Sequence, residues 1–211
     1  MSNNDNNANN KIQLPLPIVD YKKSIVRYIP KFLPDPISCF NGLLPLFTES
    51  EESRTIMFGK ESISKRKSIS FSDPEIGEYV YKGTAGRIPK DINTAPFVKY
   101  IRDYIEYHFG IHFNFCFINF YNSSDAYISY HRDNEKVIDQ NYPIYSISLG
   151  VERYFYIRDI EDKKKKWEIL LESGSLCTME GECQTFLEHS VPKRKCSDGI
   201  RINLTFRVNK K

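Results

Sequence analysis

The chain has 211 residues, 40% of them hydrophobic and 14% aromatic, enough for one domain with a substantial core and too few for a second large one. Its net charge of +3 and pI near 8.5 leave a nucleic-acid partner open without requiring it. Five cysteines (Cys39, Cys116, Cys177, Cys183, Cys196) form no CxxC pair, which argues against a disulfide framework or a zinc site and for a reducing compartment. No apolar run reaches the roughly 18 residues of a membrane span, and MSNNDNNANN has neither an apolar leader core nor transit-peptide arginines. The expectation is an intracellular protein, nuclear or cytoplasmic, away from membranes and not secreted; with no oligomer signal, it is a monomer.

Residues 1–12 read as a disordered Asn-rich lead-in and 13–211 as a single domain. The stretch DYKKSIVRYIPKFLPD is mixed in pattern. Asp35-Pro36 then looks like an N-cap and first-turn proline opening a short helix through Cys39, Phe40, Leu43 and Leu44, which Pro45 ends. From Thr55 to Tyr81 the text is strand and turn: TIMFGK, the basic polar stretch ESISKRKS, ISFSD and GEYVYKG, a run of hairpins. The clearest helix is 94–108, with Phe97, Ile101, Tyr104, Ile105 and His108 on one stripe and Gly110 as its stop. Beyond it come eight strand-like segments, at 112–121, 126–133, 143–150, 153–159, 167–173, 175–180, 185–191 and 199–208. Eight short strands after an α/β half give an α+β chain ending in a barrel or a double-sheet jelly roll.

The last segment, GIRINLTFR, sets Arg201, Asn203, Thr205 and Arg207 on one face of a strand and Ile202, Leu204 and Phe206 on the other. His131 and Asp133 of YHRD are i and i+2 on a strand, so they point to one side. That pair alone is a weak signal, because four histidines yield an HxD by chance in about one sequence in four. His189 changes its weight. Two histidines and a carboxylate form the facial triad that holds Fe(II) and leaves positions open for an organic acid and dioxygen. Two guanidiniums inside a barrel need anions, and a small dicarboxylate offers two, each suited to bidentate Arg. Asn203 and Thr205 would add neutral hydrogen bonds.

INFY (118–121), HRDNE (131–135), SISLG (146–150), His189 and RINLTFR (201–207) together resemble the AlkB family of Fe(II)- and 2-oxoglutarate-dependent dioxygenases, in order and spacing from Phe113 to Val208. The resemblance implies a double-stranded β-helix, or jelly-roll, core at 112–208, N-terminal helices, and a nucleotide-recognition lid of hairpins at 55–93. It also implies that His131, Asp133 and His189 are iron ligands, and that Asn119 and Tyr121, with Arg201, Thr205 and Arg207, bind 2-oxoglutarate.

The N-terminal half is similar to the double-strand DNA demethylase branch. By that likeness Phe58, with Met57 and Gly59, is an apolar wedge filling the gap left by a flipped base, and Tyr79 and Tyr81 of EYVYKG contact the base itself. Lys60, Lys65, Arg66, Lys67, Lys163 to Lys166, Arg194 and Lys195 could grip phosphates. There are two departures: Asn134 stands where that branch has a second acid, and KESISKRKS lacks a proline expected in the hairpin. The expectation is oxidative demethylation of 1-methyladenine and 3-methylcytosine in nucleic acid, with duplex DNA as the partner, and with Asn134 and Glu135 near the base. Rival readings are an oxygenase acting on RNA or a protein side chain, a silent nucleic-acid-binding barrel, and a cupin-like jelly roll.

Overall fold

The computed structural model describes residues 12–57, 60–77, 88–194 and 199–210, and for 53–64 the backbone alone. In chain order the strands are β1 (Val19–Tyr21), β2 (Ser24–Ile29), β3 (Glu51–Met57), β4 (Lys60–Ser72), β5 (Lys90–Asp91), β6 (Phe115–Tyr121), β7 (Ile128–His131), β8 (Ile144–Gly150), β9 (Arg153–Asp159), β10 (Lys166–Leu171), β11 (Ser175–Gly181), β12 (Leu187–Val191) and β13 (Arg201–Arg207). The helices are α1 (Pro36–Leu43), α2 (Leu46–Glu49), α3 (Pro96–Phe109) and α4 (Cys183–Phe186), with a 3-10 turn at Ile92–Thr94.

Two sheets face each other. The larger runs β1-β2-β11-β8-β13-β6-β4-β3 with β5 added to β4, nine strands in all, and the smaller is the four-stranded β10-β9-β12-β7. Every pairing except β4 with β5 is antiparallel. This is the expected jelly roll with N-terminal helices. The larger sheet is covered on both faces: Ile118, Ile147, Leu149, Ile202, Leu204 and Phe206 join Val98, Ile101 and Ile105 of α3 in one core. On its other face Tyr121, Ile144, Cys177 and Met179 pack with Phe155, Ile157, Ile169, Leu187 and Val191 of the smaller sheet. That double cover is why all seven residues of β13 are buried, polar ones included.

Local signals explain the helices. The Asp35 carboxylate accepts from the Ser38 N–H at 3.0 Å and Pro36 opens the first turn of α1. Gly110 closes α3 at φ 70°, its N–H donating to the Glu106 carbonyl. The buried stripe of α3 is rotated from the expected one: Val98, Ile101, Arg102 and Ile105 face in, whereas Phe97 is 36% exposed. Arg102 can be buried because Asp73 at 2.7 Å, Asp103 at 3.1 Å and Glu106 at 3.5 Å surround its charge.

Three strand expectations are corrected. The mixed stretch after the lead-in holds β1 and β2, joined by a tight turn with positive φ at Lys22 and Lys23. The basic polar stretch ESISKRKS, expected as part of a run of hairpins, lies within one long strand, β4, with ISFS following it on the same strand. Thr185 and Phe186 belong to α4, so β12 begins at Leu187. Residues 1–11 of the expected lead-in lie outside the described residues. Among the described residues no helix is long and apolar enough to cross a membrane.

Candidate metal and co-substrate site

The site is the space between the two sheets, and strand register assembles it. β7 and β12 are neighbours in the smaller sheet with His131 directly opposite His189, so their rings stand with centroids 4.3 Å apart. Asp133 follows two residues past the end of β7, where its main-chain N–H donates to Gln184 Oε1 at 2.8 Å. His131 Nε2 lies 3.8 Å from Asp133 Oδ1 and His189 Nε2 3.9 Å from Asp133 Oδ2. Ligand atoms of all three residues fall within 4.8 Å of one another, a separation one metal ion can span.

The protonation states suit a cation. His131 Nδ1 donates to the Ser129 carbonyl oxygen at 2.9 Å, which fixes the tautomer and leaves Nε2 free to ligate. Burial, and then the neighbouring His189, push His131 down to about 3, so the ring is neutral. Burial alone would raise the carboxyl of Asp133, but the Arg207 guanidinium and the two imidazoles outweigh it and hold it well below the usual carboxylate range.

The floor comes from three adjacent strands of the larger sheet. Arg201, Asn203 and Thr205 pair across from Tyr121, Asn119 and Phe117 of β6 on one side, and Asn203 and Thr205 from Ser148 and Ser146 of β8 on the other. One period-two face therefore carries every polar residue expected to meet the co-substrate. Asn119, Tyr121, Asn203, Thr205 and Arg207 line the cavity together with His131, Asp133 and His189.

The two arginines differ in a way their alternation did not reveal. Arg207 already has a carboxylate, its Nη2 forming an ion pair with Asp133 Oδ1 at 2.9 Å, so it does not need a ligand to balance its charge. Arg201 is 1% exposed and bonds through Nη2 to Ser148 Oγ at 2.9 Å, while its Nε and Nη1 meet no acceptor among the described residues. It lies behind the cavity lining with its guanidinium carbon 5.0 Å from the Tyr121 ring centre. Burial works against its charge. An anion bound here would supply the acceptors those two nitrogens lack among the described residues. Asn203 and Thr205 are partly engaged already, Asn203 Nδ2 donating to Ser146 Oγ at 2.8 Å and Thr205 Oγ1 to Asn203 Oδ1 at 3.3 Å. Asn119 Oδ1 is buried without a donor among the described residues.

Several lining residues escaped the sequence reading. Arg66 was grouped with Lys65 and Lys67 as a surface grip, yet it is 4% exposed and lines the cavity. Its alternation with Ser68, Ser70 and Ser72 on β4 was the available signal. Phe117, Ser146, Phe155 and Met179 also line it. Asn134 is exposed and Glu135 half-buried, next to Asp133 but not among the lining residues. Phe58, Gly59, Tyr79 and Tyr81, and the side chain of Met57, lie outside the described residues.

Comparison with known proteins agrees with this site. The profile of the 2OG-Fe(II) oxygenase superfamily matches residues 26–207. The DNA oxidative demethylase ALKBH2 of Homo sapiens is 33% identical over 162 residues, covering 74% of this chain and 60% of that protein. The Bos taurus protein of the same name is also 33% identical, with 74% and 57% covered. The human alpha-ketoglutarate-dependent dioxygenase alkB homolog 3 is 30% identical over 163 residues, covering 71% and 56%. The chain thus spans little more than half the length of these relatives. The solved structure of OsALKBH1 superposes with a TM-score of 0.55 over 86% of this chain and 97% of that one, at 19% identity, a likeness of fold. With the facial triad in place and the profile matched from β2 to the end of β13, the chain belongs to the 2OG-Fe(II) oxygenase superfamily and is similar to its AlkB-type members.

Proposed function

We propose that this oxygenase removes methyl groups from base nitrogens of alkylated nucleic acid, with duplex DNA carrying 1-methyladenine or 3-methylcytosine as its substrate. The observation that carries this reading is a metal triad lining a cavity behind whose Tyr121 wall stands one buried arginine, Arg201, with two nitrogens that meet no acceptor among the described residues. The names of the ALKBH2 relatives add the nucleic-acid substrate class.

His131, Asp133 and His189 would hold Fe(II), and Arg201, Asn119 and Tyr121 the distal carboxylate end of 2-oxoglutarate. When bound, the metal and co-substrate supply oxidation of a methyl C–H bond, with dioxygen and 2-oxoglutarate converted to succinate and carbon dioxide. The protein's own work is positional. Ser129 fixes the ring of His131, Gln184 fixes the backbone of Asp133, and Arg207 keeps the Asp133 carboxylate ionised as a ligand. Phe155, Ile128, Val191 and Met179 line the same space with apolar surface and limit water near the reacting carbon. The hydroxymethyl group then gives up its hydroxyl proton to solvent and its carbon leaves as formaldehyde, the C–N bonding pair returning to the base nitrogen.

The test is purified protein with Fe(II), 2-oxoglutarate and a panel of methylated oligonucleotides, duplex and single-stranded, DNA and RNA. The expected outcome is formaldehyde release on duplex DNA, lost in His131→Ala with the circular dichroism spectrum kept. Release confined to RNA or single strands would overturn the duplex assignment. Turnover unchanged by His131→Ala would overturn the chemistry.

A further inference from the structure

Arg153 is a second buried cation beside the same tyrosine. It opens β9 and is 3% exposed. Its Nη2 donates to two main-chain carbonyl oxygens, that of Ala126 at 2.9 Å and that of Pro192. Ala126 lies two residues before β7, the strand of His131, and Pro192 directly follows β12, the strand of His189. One guanidinium nitrogen therefore joins the outer ends of the two strands that bring the imidazoles together.

The main chain leaves room for such a clamp. β7 has four residues, sits at the edge of the smaller sheet, and its ladder with β12 shifts register between His189 and Val191. A short edge strand held by an irregular ladder is weakly fixed on its own. The guanidinium carbon of Arg153 also stands 5.5 Å from the Tyr121 ring centre, and that of Arg201 5.0 Å from the same ring. Tyr121 thus ends β6 with two guanidiniums close to its ring, neither holding a carboxylate among the described residues. A planar guanidinium can meet two carbonyls at its edge and a ring at its face, which a lysine cannot.

We propose that Arg153 is a positioning residue of the oxygenase site. It sets the Tyr121 ring and the ends of the two imidazole-bearing strands together, and through Tyr121 it tunes affinity for the distal carboxylate of 2-oxoglutarate. The proposal rests on the reading of Tyr121 as a 2-oxoglutarate contact. Its Arg153-to-Tyr121 link joins the smaller sheet to the larger.

The experiment is calorimetric titration of the Mn(II)-loaded protein with 2-oxoglutarate and, separately, with a 2-oxo acid lacking the distal carboxylate. The variants are Arg153→Met, Arg153→Lys, Tyr121→Leu and the double variant Arg153→Met/Tyr121→Leu. Outer partners of a site typically change affinity about 10- to 100-fold, which is the loss expected for 2-oxoglutarate in Arg153→Met. Arg153→Lys, which keeps the charge and the fold, falls between. The oxo acid without the distal carboxylate loses little, and the double variant is no weaker than the worse single one. Equal loss for both acids, multiplied losses in the double variant, or wild-type affinity in Arg153→Met and Arg153→Lys would overturn the proposal. Wild-type affinity in Tyr121→Leu would instead overturn the reading of Tyr121 and the proposal with it.

Discussion

Replacing Arg201 with Met separates what a buried charge does for the ligand from what it does for the fold. Two of its nitrogens, Nε and Nη1, are buried without acceptors among the described residues. Hydrogen bonds involving a charged group contribute about 1.5–3 kcal/mol each, so two of them to a carboxylate amount to about 3–6 kcal/mol, or roughly two to four orders of magnitude in affinity. The protein without its co-substrate should respond differently. Met removes a charge whose burial is unfavourable and forfeits one bond from that charge to Ser148 Oγ, worth about 1.5–3 kcal/mol. Arg201→Met is therefore expected to weaken 2-oxoglutarate binding to the Mn(II)-loaded protein by a factor of about 100 or more, while the urea midpoint of the ligand-free protein stays near or above wild type. Calorimetry and urea unfolding measure the two quantities. Affinity within about threefold of wild type would refute the assignment of Arg201 to the distal carboxylate.

Gln184→Ala leaves the buried N–H of Asp133 without its acceptor, and Mn(II) affinity should drop about 10- to 100-fold by titration while the two histidines remain in place. Asp159 supplies a pH test. The N–H of Asp162 donates to its fully buried carboxylate and, against the cost of burial, with the Glu161 N–H and Lys22, brings the group down to about 2. A depressed carboxyl stabilises the fold above its ordinary value of 3.8 and loses that stabilisation as pH falls through about 2. Urea midpoints should therefore decline across that window in wild type, whereas Asp159→Asn should start lower at neutral pH and decline less. Ile105→Ala, at a position with 0% exposure against the larger sheet, should cost about 2–5 kcal/mol in urea unfolding with little change in metal affinity.

The sequence was most legible where one strand carries its own alternation. RINLTFR separates a core face from a site face without help from any neighbour, and both faces are where the alternation puts them. HRD was legible as a pair of ligand types, but not as two positions of one strand: β7 ends at His131, and Asp133 reaches the site from the segment after it. α3 was found but its phase was not: Phe97 and Val98 both fit an apolar stripe, and only the sheet against which the helix packs chooses between them. β2 and the first part of β4 were missed because SIVRYI and SISKRKS put charged or hydroxyl side chains on strands, and pairing with β11 and β3 overrides that composition. Arg153 and Gln184 had no local signature at all. What they hold are carbonyls and an N–H from loops 27 to 51 residues away in the chain. The Asp133 partner of Arg207 was equally hidden, since it depends on the two sheets closing over each other.

The most direct test of the site is a crystal grown with Mn(II) and 2-oxoglutarate and measured for anomalous scattering. The expected result is one metal peak about 2 Å from His131 Nε2, an Asp133 carboxylate oxygen and His189 Nε2, with the distal carboxylate of the oxo acid bonded to Arg201. A metal held elsewhere, or an oxo acid whose distal carboxylate turns away from Arg201, would contradict it.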